Sequence, residues 1–142
     1  MNQPKIISSP DGKLIHTSAG AIIEKDGKYL LLDRAKPPWG FACASGHIDE
    51  GEDPETALKR EVKEETGLTV TDYKLVWEEY VDWDWCSRGV TGHHSYIYQV
   101  ATSGKVKGNS ESKSISWYTK EEMKKIKLER MWVYWFGKLG II

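Results

Sequence analysis

The segment from Asp53 to Gly67 most narrows the folds open to this chain, because it carries both ends of a helix in its own residues. Asp53 is an N-cap type whose side chain accepts an orphan backbone N–H. Pro54 suits the first helical position, where its missing N–H is not needed, and Gly67 suits the left-handed residue that closes a helix. On both sides the pattern is that of strands. Ala19 to Glu24 and Tyr29 to Arg34 flank Asp26-Gly27, a hairpin turn sequence. Pro37-Pro38 ends the second run, Trp39 to Ser45 reads as a short buried strand, and Gly46 to Glu52 reads as a polar loop. Beyond the helix, Leu68 to Trp85 and His93 to Val100 alternate apolar and polar residues around a turn at Ser87 to Gly92. Lys105 to Lys113 is a loop by composition, and Ser114 to Tyr118 predicts one more strand. Thr119 caps a helix expected through Ile126, and Glu129 to Leu139 predicts a terminal amphipathic helix. This order lacks regular βαβ alternation, so it predicts an α+β fold with a mixed sheet and not a doubly wound one.

A chain of 142 residues suits one domain, expected to span residues 1–142. Lys and Arg total 20 against 21 Asp and Glu, and a net charge of −1 gives no general attraction to extended nucleic acid or to an anionic membrane. Met1 to Lys13 has no apolar signal core, and no apolar run approaches the roughly 20 residues of a membrane span. A soluble, cytoplasmic protein is the expectation. Cys43 and Cys86 form no Cys-x-x-Cys pair, and reduced thiols are expected for both.

The chemistry is concentrated on the central helix. Glu61, Glu64 and Glu65 fall at i, i+3 and i+4, so three carboxylates leave one helix face. Glu61 and Glu65 are like charges one turn apart, worth about 0.2–0.5 kcal/mol of repulsion in an isolated helix. A hard divalent cation offsets it: carboxylate oxygens suit Mg²⁺ or Mn²⁺, which neutralise phosphates and lower the pKa of a coordinated water. By itself Glu-x-x-Glu-Glu is also what a solvated helix face looks like. Its surroundings decide the matter. From Gly46, five residues lead to Glu52, and seven more lead to Arg60-Glu61-Val62-Lys63-Glu64-Glu65-Thr66-Gly67-Leu68.

That spacing resembles the Nudix family signature at every fixed position, a match expected by chance with a probability on the order of 10⁻⁷ or less. The resemblance implies an α/β/α sandwich around a mixed β-sheet and a hydrolase that cuts a diphosphate linkage. It also implies that Glu61, Glu64 and Glu65 bind Mg²⁺ or Mn²⁺, with Glu64 or Glu65 helping to activate water and the Ser45 carbonyl as a further metal ligand. Glu52 is implied to pair with Arg60 and fix the loop to the helix, an arrangement in which an Arg fork spends one carboxylate on geometry. Many members add a late-loop glutamate. The only acidic residue in the corresponding loop here is Glu111, for which a solvated role stays open. Isopentenyl-diphosphate isomerases of the same fold carry a Cys directly before the first signature glycine. Here that position is Ser45, with Cys43 two residues earlier.

Other residues admit two readings each. Trp83 and Trp85 alternate with Asp82 and Asp84 and suit either base stacking in substrate binding or core packing. Trp132, Trp135 and Phe136 at i, i+3 and i+4 read as core. Arg34, before the Pro-Pro loop, suits a substrate phosphate contact or a surface ion pair. His93 and His94 are adjacent on a strand and point to opposite faces, so they cannot share one ion, and a zinc site with Cys86 is disfavoured. His47 reads as a solvated loop residue or a phosphate contact. The function expected is metal-dependent hydrolysis of a nucleoside diphosphate linked to another moiety. A non-catalytic metabolite-binding module of the same fold and, further off, the isomerase are the alternatives. The expected partner is a small nucleotide-like molecule; a homodimer is common in the family.

Overall fold

The computed structural model describes residues 5–8, 12, 14–81 and 92–142. Its elements run β1 (Ile6–Ser8), β2 (Leu14–Lys25), β3 (Lys28–Arg34), β4 (Phe41–Ala42), β5 (Ala44–His47), α1 (Pro54–Thr66), β6 (Thr69–Val81), β7 (His93–Ser103), β8 (Ser112–Thr119), α2 (Lys120–Met123) and α3 (Arg130–Lys138).

Strand β2 organises the molecule. Its residues His16 to Ile23 pair with β7 in parallel on one side, and Ser18 to Ala21 pair with β5 antiparallel on the other, which makes the sheet mixed. Its last residues turn through Asp26 (φ 55) and Gly27 (φ 77) into β3. Two successive left-handed residues are what a two-residue hairpin loop requires, and Asp-Gly accommodates them. β6 extends the sheet beyond β7, and β8 and β4 pair with β3.

The alternation along β2 builds two cores. Ala19, Ala21 and Ile23 face α1 and pack with Ala57, Leu58 and Val62. Ile22 faces the other way, with Leu31 and Ile97, onto Met131, Trp132, Trp135 and Phe136. Helices thus cover both faces of a mixed sheet, the α/β/α sandwich expected from the sequence. The two layers come close at Gly20, where an added Cβ would lie 2.9 Å from the Trp132 ring.

Helix α1 begins and ends where its caps predict. Asp53 accepts from the Thr56 N–H at 2.7 Å, Pro54 opens the helix, and Gly67 at φ 75 returns its N–H to the Lys63 carbonyl. Four boundaries differ from the sequence reading. The run from Trp39 to Ser45 is not one strand: it divides into β4 and β5, each paired to a different neighbour. Gly46 and His47, read as loop, belong to β5 because their backbone continues the ladder against Ala19 and Ser18. α2 stops at Met123, short of Ile126, with Thr119 and Glu122 forming a full capping box at its start. Glu129 is the N-cap of α3 and not its first helical residue. Among the described residues, no helix is long and apolar enough to cross a membrane.

Candidate active site

The loop from His47 to Asp53 is fastened to α1 through one guanidinium. Arg60 grips Glu52 with two parallel hydrogen bonds, Nε to Oε2 at 2.8 Å and Nη2 to Oε1 at 2.9 Å. Its Nη2 also donates to the His47 carbonyl at 3.0 Å and lies 3.4 Å from Asp49, while Nη1 donates to Glu61 at 2.8 Å. Glu52 in turn accepts from the Asp49 N–H at 2.9 Å. These donors, Arg60 first, hold the Glu52 carboxyl below the ordinary range. The planar fork is saturated by groups of the loop and by Glu61, so it sets geometry for both.

Glu61, Glu64 and Glu65 emerge together, in different surroundings. Glu65 is only 9% exposed and accepts from the Ser45 N–H at 3.2 Å. Its pKa lies well above the usual value, first through burial and then through the negative charge of Glu61 and a hydrogen bond to that neighbour, with Glu111 adding to the rise. Burial also raises Glu61, against the pull of Arg60. The two carboxyls are best described as a pair sharing a proton when no cation is present. Glu64 is more open, with 55% of its side chain exposed, 3.4 Å from Arg60.

Gly46 makes this packing feasible. Its position faces α1, and any Cβ there would collide with the Glu61 carboxylate.

These groups open onto one cleft of about 980 Å³, large enough for a nucleotide-sized ligand. Ser45, Arg60, Glu61, Glu64, Glu65 and Glu111 share its wall with Arg34, whose Nε donates to the Pro38 carbonyl at 2.8 Å and is held at the rim. Glu52 does not line the cleft among the described residues; it stands behind Arg60. Glu111 is brought to the site by Asn109, whose amide donates to the Glu64 carbonyl at 2.7 Å and whose oxygen accepts from the Glu111 N–H at 2.8 Å. The Glu111 carbonyl then accepts from Ala35 at 3.0 Å, joining the late loop to the end of β3. Asn109 had no motif to mark it in the sequence.

The cleft floor lies on the α3 side of the sheet and carries polar groups among apolar ones such as Leu32 and Ile97. Ser18 and Ser95, opposite each other on β2 and β7, are 3.0 Å apart through their hydroxyls. His47, read from sequence as a solvated loop residue, is half-buried in β5 and turned toward His16 and His93. His94 points the other way, as strand geometry requires, and meets Glu78 at 2.7 Å. Trp132 and Trp135 are core residues, as read, and also close the cleft beneath α3. Cys43 is free and buried in the α3-side core, away from the cleft wall, and burial pushes its thiol well up; it offers no nucleophile or acid to a ligand. Trp83, Trp85, Asp82, Asp84 and Cys86 lie outside the described residues.

The donor set fits a hard divalent cation. Burial raises the proton affinity of both Glu61 and Glu65, the charge of Glu61 adds to the rise at Glu65, and a third carboxylate, Glu64, stands on the same helix face.

A helix bearing three convergent glutamates, bound through an Arg–Glu fork to a glycine-led loop on a mixed α/β/α sandwich, defines the Nudix class. The NUDIX domain family matches residues 14–136, and the chain belongs to that family. It is 34% identical to an ADP-ribose pyrophosphatase of Methanocaldococcus jannaschii, over 74% of this chain and 62% of that one. It is 36% identical to an NAD-capped RNA hydrolase of Homo sapiens over 72% of this chain, but it spans only 21% of that protein's length. Among solved structures, the MutT protein of Bacillus halodurans superposes with a TM-score of 0.71 at 19% identity, covering 85% of this chain and 79% of that one, a likeness of fold.

Proposed function

We propose that residues 1–142 form a single Nudix domain that hydrolyses the diphosphate of a nucleoside diphosphate linked to another moiety, with Mg²⁺ or Mn²⁺ held by Glu61, Glu64, Glu65 and the Ser45 carbonyl. The observation that carries this reading is the buried Glu61–Glu65 pair, raised in proton affinity and facing the same cleft as Arg34. When bound, the cations neutralise the diphosphate and make a water molecule acidic enough to attack phosphorus near neutral pH.

The chain's own residues then have distinct tasks. Glu52 fixes Arg60, and Arg60 orients Glu61 and the His47 end of β5. Both are positioning residues. Glu64 or Glu65 receives the proton of the attacking water, and Glu111 adds negative charge next to Glu65 through its Asn109 tether. Arg34 holds a phosphate at the rim, and Trp83 and Trp85 supply a stacking surface for the base. The diphosphate class is supported by the ADP-ribose pyrophosphatase and capped-RNA hydrolase relatives, whose names share this linkage. A cytoplasmic homodimer acting on small molecules is part of the same reading.

A panel of ADP-ribose, dinucleoside polyphosphates, sugar nucleotides, nucleoside triphosphates and capped RNA ends, each with and without Mg²⁺ or Mn²⁺, tests it by product identification. Release of a nucleoside monophosphate, phosphate or pyrophosphate only with metal is expected. Glu64→Gln and Glu65→Gln should each lose several orders of magnitude in kcat, and full turnover in either variant overturns the assignment.

A further inference from the structure

Three adjacent strands each send one histidine to the same point, His47 and His93 in the cleft wall and His16 buried beside them. His16 and His93 are register partners on the parallel pair β2 and β7, and His47 on β5 pairs with Ser18, two residues along the same face of β2 as His16. One nitrogen from each ring can be chosen so that all three lie within 4.8 Å of one another. The ring centroids of His16 and His47 are 4.7 Å apart, and those of His47 and His93 are 5.4 Å apart. We propose that His16, His47 and His93 form a binding site for a borderline transition-metal ion, Zn²⁺ by preference, distinct from the carboxylate centre on α1.

The geometry and the chemistry agree. A tetrahedral Zn²⁺ with Zn–N bonds of about 2.0–2.1 Å needs ligand nitrogens roughly 3.3 Å apart. The Nε2 atoms of His47 and His93 are 3.4 Å apart. Neutral imidazole, with a lone pair on one ring nitrogen, is the form that ligates metal. The His16 ring closes the third edge by a small movement from within its 4.8 Å limit. His16 is buried at 3% exposure, whereas His47 and His93 are half-buried and line the cleft. The ion would therefore be held from below and from both sides, and its fourth position would face the cleft, open to water or to an anionic oxygen of a ligand. Among the described residues the donor set is three imidazole nitrogens without a carboxylate, which Mg²⁺ disfavours and Zn²⁺, Co²⁺ or Ni²⁺ prefers. The two centres thus sort ions by ligand type. They are also joined mechanically, because the His47 carbonyl accepts from Arg60.

The test is Co²⁺ titration of the chelator-treated full chain with saturating Mg²⁺ present to occupy the carboxylates, followed by visible absorption, with Zn²⁺ displacement measured by calorimetry. One equivalent of Co²⁺ should give the intense bands of four-coordinate, nitrogen-bound cobalt and be displaced by Zn²⁺. His93→Gln and His16→Gln should each weaken Co²⁺ binding by about a hundredfold or more, above what loss of an outer-shell partner does. His94→Gln, on the opposite face, should leave it unchanged. Glu64→Gln should also leave the bands intact, which separates this site from the carboxylate centre whatever the fate of the hydrolase activity. His93 is half-buried and its Gln variant is expected to fold, so an unfolded His16→Gln protein does not blunt the test. Only weak six-coordinate bands, or equal Co²⁺ affinity in the parent, His93→Gln and His94→Gln proteins, would overturn the proposal.

Discussion

Replacing Arg60 with Met removes a charge paired with four carboxylates, Asp49, Glu52, Glu61 and Glu64, while keeping most of the side-chain volume. The Arg60 side chain is 25% exposed, against 11% for Glu52 and 12% for Glu61. Removing one partner of a fully buried ion pair costs about 3–5 kcal/mol, and partial exposure of the guanidinium lowers that to roughly 2–3 kcal/mol here. For a domain of this size about 3 °C of melting temperature corresponds to each kcal/mol, so Arg60→Met should melt about 6–9 °C below the parent at pH 7. The pH dependence identifies the cause. Arg60 holds the folded pKa of Glu52 below its ordinary value. A carboxylate with a depressed folded pKa contributes stability that is fully present above its unfolded pKa, about 4.3, and is lost as pH falls through the folded value. The variant lacks that contribution at neutral pH, so the gap between the two proteins is widest near pH 7 and closes below about pH 4.3. A second change, Glu52→Gln in the Arg60→Met background, should restore about 1 kcal/mol, because a neutral amide no longer repels Asp49 and Glu61. Thermal unfolding followed by tryptophan fluorescence at pH 7 and pH 4, without divalent ions, measures all of this. An equal gap at both pH values, or no recovery in the double variant, would refute an electrostatic role and leave only lost packing.

Gly46→Ala places a methyl against the Glu61 carboxylate, so Mg²⁺ affinity measured by calorimetry should fall at least tenfold, a loss in the range of outer-shell changes at metal sites. In metal-free protein the raised pKa values of Glu61 and Glu65 contribute stability that is present at and below the unfolded pKa and is lost as pH rises through the folded values. A divalent ion replaces the shared proton, so the melting-temperature gain on adding Mg²⁺ should be larger at pH 8 than at pH 5.5; a gain independent of pH would contradict it. Gly20→Ala pushes a Cβ to 2.9 Å from the Trp132 ring, and overpacking of this kind should destabilise by about 1–3 kcal/mol in urea unfolding with an unchanged m-value.

What could be read from the sequence was whatever is local. Asp53, Pro54 and Gly67 carry the helix limits in their own backbone preferences, and the i, i+3, i+4 spacing alone puts Glu61, Glu64 and Glu65 on one face. The Asp26-Gly27 turn is equally self-contained. Sheet register is not local, and that is where the reading fell short. Nothing near His16 indicates that a parallel ladder sets it opposite His93, a residue 77 positions away, or that β5 brings His47 alongside. The polar composition of Gly46 and His47 reads as loop, whereas backbone pairing with β2 decides their conformation. Asn109 was missed for the same reason: it acts through a helix carbonyl 45 residues back.

The placement of Gly46 explains how the glutamates of a helix on one face of the sheet reach a cleft on the other. In β5, Ser45 and His47 face the cleft and Gly46 faces α1, since successive residues alternate across a strand. Any side chain at Gly46 would hold α1 off the sheet; with none, the Glu61 carboxylate comes against the strand backbone, and Glu65 reaches the Ser45 N–H from the same side. The carboxylates therefore arrive at the edge of the cleft without passing through its floor. The floor, which includes Ser18, Ser95, His47 and His93, belongs to β2, β5 and β7 and makes no demand on the spacing within the Gly46–Leu68 signature beyond His47. Changes to those residues alter what the cleft recognises while the Arg60 fork and the glutamates keep their geometry. On the proposed function, this division assigns the diphosphate chemistry to the Gly46–Leu68 signature and leaves selection of the attached group to side chains that strand register alone brings together.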